Sequence, residues 1–173
     1  MLAGICSSFV AAAGAAEPAT APAATAQAAT ARPATTQAPD FALRSAAGPN
    51  FRLSEYRGDV VVLSFWSSRC NVCRGQLSDL EGLYGTYRPA GFRVFGINVD
   101  DDGGAAREFA RAQPVTYPML LDPSKSMARA YRVDELPMLV AIDRFGAVRF
   151  VVRNNRRDTV RDYVPELRKL IDE

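Results

Sequence analysis

Two cysteines three positions apart, in Cys70-Asn71-Val72-Cys73, are the residues of this chain best suited to chemistry. They follow Asp59-Val60-Val61-Val62-Leu63-Ser64-Phe65-Trp66, a β-branched and almost continuously apolar run that reads as a strand covered on both faces. Beyond them Leu77, Leu80, Leu83, Tyr84 and Tyr87 recur at helical spacing, which predicts a helix over about Asn71 to Tyr87. The pair therefore sits at a helix N-terminus. Backbone amides and the helix dipole stabilise a thiolate there, and Arg69 and Arg74 add positive charge on either side, so Cys70 is the expected low-pKa nucleophile. Two intervening residues on a first helical turn keep the second sulfur within disulfide reach, so Cys73 can resolve a mixed disulfide by attacking Cys70.

The chain contains no histidine. That removes the usual general base, the commonest metal ligand and every Ser-His-Asp or Cys-His arrangement. Three plainer readings of the cysteine pair stand beside redox exchange. A zinc site needs four ligands and would have to borrow carboxylates. A purely structural disulfide would close a loop too small to constrain the unfolded chain much. A soft cation such as Cu(I) would take the two thiolates. Exchange is the preferred reading, with no metal and no cofactor beyond the Cys70-Cys73 disulfide.

At 173 residues, 48% of them hydrophobic, the chain has room for one domain with an appendage. A net charge of +2 argues against a polyanion-binding surface, so no nucleic-acid partner is expected. Residues 1–16 resemble a secretory leader: Leu2 to Ala16 carry no charge, are too short to span a membrane, and end in small residues ahead of Glu17. Cys6, after Leu2-Ala3-Gly4-Ile5, stands in an imperfect acylation box. Residues 17–39 are nearly all Ala, Thr, Pro and Gln and offer no large apolar side chain to offset ordering entropy; they read as a disordered linker, able to tether a domain to a membrane.

Residues 40–173 have a globular composition. Phe41 to Leu43 and Phe51 to Leu53 predict a strand pair around a turn, with Ser54 opening a helical turn that ends near Gly58. A strand over Phe92 to Val99, a helix over Ala105 to Ala112, a short apolar run at Met119 to Leu121 and a short helix over Ser124 to Tyr131 follow. Met138 to Ile142 and Val148 to Val152 flank Asp143-Arg144-Phe145-Gly146 as a hairpin, and a last helix covers Asp158 to Ile171. Strands alternating with helices call for an α/β fold with helices on both faces of a central sheet. Asp100-Asp101-Asp102 lacks calcium-loop spacing and reads as a solvated turn, and Arg153, Arg156 and Arg157 as a solvated face.

Phe65-Trp66-Ser67-Ser68-Arg69-Cys70-Asn71-Val72-Cys73-Arg74, with Leu77 and Leu80, Gly91 to Val94, Tyr117 to Asp122, Tyr131-Arg132-Val133, Leu136-Pro137 and Ile142 to Gly146, together resemble the TlpA/ResA-like thioredoxin family. The resemblance covers about Asp40 to Glu173. It implies a thioredoxin-like fold, a central mixed sheet with an N-terminal β-hairpin extension, and a cis Leu136-Pro137 bond facing the dithiol. By resemblance the Leu136 backbone pairs with an extended substrate segment, Pro137 borders it, and Trp66, beside the dithiol, is a third substrate-binding residue, although an aromatic ending a buried strand reads equally well as core. It further implies an exported, monomeric thiol-disulfide oxidoreductase in the periplasm or another extracytoplasmic space. Its partners would be cysteine-containing exported proteins and a membrane dithiol electron donor, in cytochrome c maturation or general thiol reduction. The chain departs from the family pattern at Arg69, Val72, Gln76 and Ser78, where Trp, Pro, an acidic residue and Pro are common, and at Ser64, where thioredoxin keeps a buried carboxylate. No acid or base is then in obvious reach, which bears on rate and redox poise. Two other functions remain as alternatives: a non-enzymatic binding or metallochaperone module with the same fold, and a peroxiredoxin-like thiol peroxidase, which is disfavoured because a Pro-x-x-x-Thr-x-x-Cys arrangement is missing around Cys70.

Overall fold

The computed structural model describes residues 36–153 and 160–173. The valine-rich run forms a strand, β3 (Val60–Trp66), whose seven residues are all buried. Burial on both faces explains why its apolar pattern does not alternate. Around it lie β1 (Ala42–Ser45), β2 (Asn50–Arg52), β4 (Phe92–Asn98), β5 (Met119–Leu121), β6 (Met138–Ile142) and β7 (Val148–Arg153), with helices α1 (Asn71–Tyr87), α2 (Gly103–Ala112), α3 (Ser126–Ala130) and α4 (Val160–Asp172). Short 3-10 turns cover Leu53–Tyr56 and Arg88–Ala90.

One sheet runs in the order β2-β1-β5-β4-β3-β6-β7. The pairs β3–β4 and β4–β5 are parallel, and all others are antiparallel. The hairpin β1–β2 enters through Arg44↔Leu121 and Ser45↔Leu120, so the N-terminal extension is an edge of the main sheet. Alternate residues of β3 feed two cores. Val60, Val62 and Trp66 pack with Leu77 and Leu80 of α1, Ala106 and Phe109 of α2, and Tyr163, Leu167 and Leu170 of α4. Val61, Leu63 and Phe65 pack on the other face with Phe41, Leu53, Phe95, Ile97, Tyr131 and Val140. The expected α/β sheet with helices on both faces is thus the fold found.

Several boundaries differ from the sequence reading, each for a local reason. Among the described residues, pairing with the sheet begins at Thr36, ahead of Asp40. Within the stretch read as linker, Ala38 is buried and donates its N–H to Gly146 O at 2.9 Å, Val148 donates to Thr36 O at 2.9 Å, and Gln37 bridges Ala147. Backbone pairing needs no large side chain, which is why composition did not reveal it. Helix α2 starts at Gly103 because Asp102 caps it, accepting from the Gly104 and Ala105 amides. Ser54 is no cap: it lies inside the Leu53–Tyr56 turn and gives its N–H to the Asp40 carboxylate at 2.9 Å. Helix α3 begins at Ser126, two residues after Ser124. The leader over 1–16, the linker up to residue 35, Asp158 at the start of the last helix, and Arg156 and Arg157 lie outside the described residues. Arg153, at the end of β7, pairs with Asp134 at 3.2 Å. Among the described residues no helix is long and apolar enough to cross a membrane.

Candidate active site

The C-terminal ends of β3 and β4 and the N-terminal end of β6 meet on one edge, with Trp66 opposite Asn98 and Phe65 opposite Met138. A three-residue loop, Ser67 to Arg69, leads from β3 into α1. Cys70 is the N-cap of α1, and its Sγ accepts the Cys73 N–H at 3.1 Å, the place a capping oxygen usually takes. The two cysteines are joined as a disulfide, with Cα atoms 5.3 Å apart. Their exposures differ: Cys70 is half-buried, whereas Cys73 is 0% exposed and belongs to the core with Leu77 and Leu80. Between them Asn71 and Val72 are exposed, Val72 by 46%.

Leu136-Pro137 is a cis peptide placed directly before β6. Pro137 is buried and Leu136 half-buried. Leu136 shares a groove of about 320 Å³ with the Ser67–Arg69 loop; the other wall is Val99, Asp100 to Asp102 and Ala105. Leu136 therefore lies beside the loop that leads into Cys70. Trp66 does not join them at the surface. Its side chain is 0% exposed and stacks on Phe109 with ring centroids 4.8 Å apart, so the expectation that it touches substrate is corrected to a place in the core. Gly96 makes that packing possible, since a Cβ there would meet Met119 Sδ at 2.6 Å and Trp66 Nε1 at 3.2 Å. Arg74 lays its guanidinium over Phe109 at 4.8 Å from the ring centroid, while Arg69 is exposed on the groove.

Beneath Cys73 the buried polar groups are neutral. Gln76, one helical turn on, accepts from Ser64 Oγ at 3.0 Å and donates to Tyr163 Oη at 3.5 Å. Burial raises the Tyr163 pKa above its ordinary 10, with the Gln76 contact opposing, so its hydroxyl stays protonated in the physiological range. Ser64 and Gln76 were legible as departures from the family pattern. Tyr163 falls on the apolar face of the last helix, and no local signal in the sequence ties it to the site.

The acidic turn is not simply solvated. Asp101 pairs with Lys125 at 2.7 Å, Asp102 caps α2, and Asp100 holds the loop before Cys70. The Asp100 carboxylate accepts from Ser67 Oγ, from the Ser68 N–H at 2.8 Å and from Asn98 Nδ2 at 2.9 Å. Burial alone would raise its pKa, but these donors outweigh it and hold the carboxyl below the ordinary range. The overlooked signal was Asn98-x-Asp100 closing one strand opposite Ser67-Ser68 closing its neighbour. Among the described residues no group of three His, Cys, Asp or Glu side chains is arranged to hold a metal ion.

A disulfide at the mouth of a helix, a cis-proline opening the strand that pairs with β3, and a sheet of this order define a thioredoxin-fold protein. Residues 34–151 match the AhpC/TSA family, and the chain belongs to that family. It is 32% identical over 114 residues to the thiol-disulfide oxidoreductase ResA of Geobacillus kaustophilus, a match spanning 66% of each chain. It is 28% identical over 127 residues to ResA of Bacillus subtilis, covering 73% of this chain and 71% of that one. A crystal structure from Chlorobium tepidum, assigned as thiol:disulfide interchange protein DsbE, superposes with a TM-score of 0.71 at 30% identity over 80% of this chain and 95% of the other. The protein is thus ResA-like in sequence and thioredoxin-like in fold.

Proposed function

We propose that the protein is a thiol-disulfide oxidoreductase in which Cys70 attacks and Cys73 resolves. The difference in exposure carries the reading. Only Cys70, half-buried at a helix N-terminus, can meet a sulfur of another chain; Cys73, fully buried one turn on, can reach only Cys70. In the reducing direction the Cys70 thiolate attacks a substrate disulfide, forms a mixed disulfide and releases one substrate thiolate, which takes up a proton. Cys73, as thiolate, then attacks Cys70 Sγ, expels the second substrate thiolate and leaves the Cys70-Cys73 disulfide. Two electrons pass to the substrate. A dithiol donor returns them by the reverse exchange, and no metal or cofactor takes part.

Leu136 and Pro137 would border the substrate segment, its cysteine over Cys70. The favoured direction is reduction of exported cysteine proteins, apocytochromes among them, in an extracytoplasmic space, with residues 17–35 as a tether and electrons from a membrane dithiol carrier. The similarity to ResA supports this reading, although Arg69, Arg74 and the α1 terminus pull toward a more oxidising couple.

The decisive assay is reduction of a protein disulfide by wild type, Cys70→Ser and Cys73→Ser. The expected result is loss of turnover in both variants, with a mixed disulfide trapped at Cys70 in Cys73→Ser. Equal rates in wild type and Cys70→Ser would leave a binding module instead, and catalytic peroxide consumption would make the protein a peroxidase. The reduction potential of the couple settles direction: about -270 mV for a reductant, about -120 mV for an oxidant.

A further inference from the structure

Where the parallel ladder between β3 and β4 stops, at Trp66↔Asn98, the two chains do not part. Val99 still donates to Trp66 O at 3.0 Å, and beyond it the Asp100 side chain takes over the role of a strand, accepting the Ser68 N–H that the sheet no longer pairs. Asp100 is itself held: its own N–H donates to Asn98 Oδ1 at 3.0 Å, and Asn98, 2% exposed, donates back through Nδ2 at 2.9 Å. From this anchor the contacts lead to the reactive sulfur. Ser67 Oγ donates to Asp100 and accepts the Arg69 N–H at 3.2 Å, while Ser67 O accepts the Cys70 N–H at 3.0 Å. Every backbone N–H from Ser68 to Cys70 thus ends on Asp100 or on a serine that Asp100 holds.

We infer that Asp100 is a positioning residue for disulfide exchange: its carboxylate clamps the Ser67–Arg69 loop to the end of β4 and so fixes Cys70 at the N-cap of α1. The inference rests on the exchange reading above. The physical argument is that a thiolate gains from the α1 amides only while its sulfur stays where the Cys73 N–H points, and small displacements of a reacting atom cost large factors in rate. A flexible serine-serine-arginine loop would not hold that place alone. Asp100 needs no contact with substrate to do this.

Two variants separate geometry from charge. Asp100→Asn is uncharged yet can keep the clamp, its amide oxygen accepting from Ser68 and Asn98 and its NH₂ donating to Ser67 Oγ. Asp100→Ala is equally uncharged and loses all three contacts. In the reduced full chain two quantities are measured: the pH profile of Cys70 alkylation by iodoacetamide, and the exchange rate with a small aromatic disulfide. Asp100→Ala is expected to show a higher apparent Cys70 pKa than Asp100→Asn and an exchange rate about fivefold or more below it. Ser67→Ala, which keeps the Asp100 charge, should move the alkylation profile the same way relative to wild type, and it serves if Asp100→Ala does not fold. Identical profiles and rates in Asp100→Asn and Asp100→Ala, or a wild-type profile in Ser67→Ala, would overturn the assignment. Alkylation reads the placement of Cys70 whether or not the protein turns over a substrate. Failure of exchange in wild type therefore sinks the proposed function without being mistaken for failure of the clamp.

Discussion

Gln76 decides what the buried cysteine can draw on. It lies one helical turn after Cys73, with Ser64 and Tyr163 as its partners, and none of the three carries a charge at neutral pH that a leaving proton could join. Proton transfer at Cys73 must then go through water or a more distant carboxylate. Gln76→Glu places a carboxyl in that buried site, and desolvation will lift its pKa well above an ordinary glutamate. The expected outcome is a resolution step that rises with pH through that elevated value and, at pH 7, exceeds wild type. Single-turnover release of the second substrate thiol, followed from pH 5 to 9, checks it; an unchanged profile would show that Cys73 never depended on this environment. At this scale the sequence was generous. Cys70, Cys73, Ser64 and Gln76 are all adjacent to a recognisable spacing, whereas Asp100 and Tyr163 reach the site from elsewhere in the chain, and Trp66 is withdrawn from the surface by a ring on α2 that no local pattern connects to it.

Among the elements, α3 is the least self-sufficient. It has five residues, too few to hold itself together, and its N-cap Lys125 has a φ of 54° and no side-chain cap. What holds it is Asp122, 1% exposed, whose carboxylate accepts the N–H groups of Ser126, Met127 and Ala128, each at 2.9 Å. Asp122→Ala leaves three amides unpaired and should destabilise the fold by about 3 kcal/mol, seen as a lower denaturant midpoint. Asp122→Asn, which keeps part of the acceptor set, should lose less. Asp122-Pro123 is a helix-start pair in the sequence, but its carboxylate acts four to six residues downstream, so the helix starts later than the pair alone suggests. Long periodic elements such as α1 coincide with their sequence pattern from Asn71 to Tyr87. Edges behave differently. The Thr36–Pro39 segment is ordered by main-chain pairing to the β6–β7 turn, and main-chain pairing leaves no trace in composition.

For the molecule as a whole, pH bears on stability from two sides. On the acid side, Asp100 and Asp40 are held below the ordinary carboxylate range: burial opposes this in both, and donors from Ser67, Asn98 and Ser68 in one and from Ser54 in the other outweigh it. A depressed folded-state pKa contributes stability that is complete above the unfolded value, about 3.9, and fades as pH falls through the folded one. On the alkaline side, burial raises the hydroxyls of Tyr117, Tyr131 and Tyr163 above their ordinary 10. Tyr117 donates to Leu77 O and Tyr131 to Pro39 O, each at 2.8 Å, so ionisation would set a buried anion against a carbonyl. Here the folded state keeps the proton that the unfolded chain gives up. The tyrosine contribution to stability is therefore level below pH 10 and falls above it, by up to about 1.4 kcal/mol per pH unit for each tyrosine. Denaturant midpoints between pH 9 and 12 should show this decline, and Tyr117→Phe should be less stable at pH 7, having lost one hydrogen bond, yet fall less steeply above pH 10, having lost one titrating group. A variant as steep as wild type would mean that Tyr117 ionises as readily folded as unfolded, and that the face of the sheet between α1 and β5 is open to water.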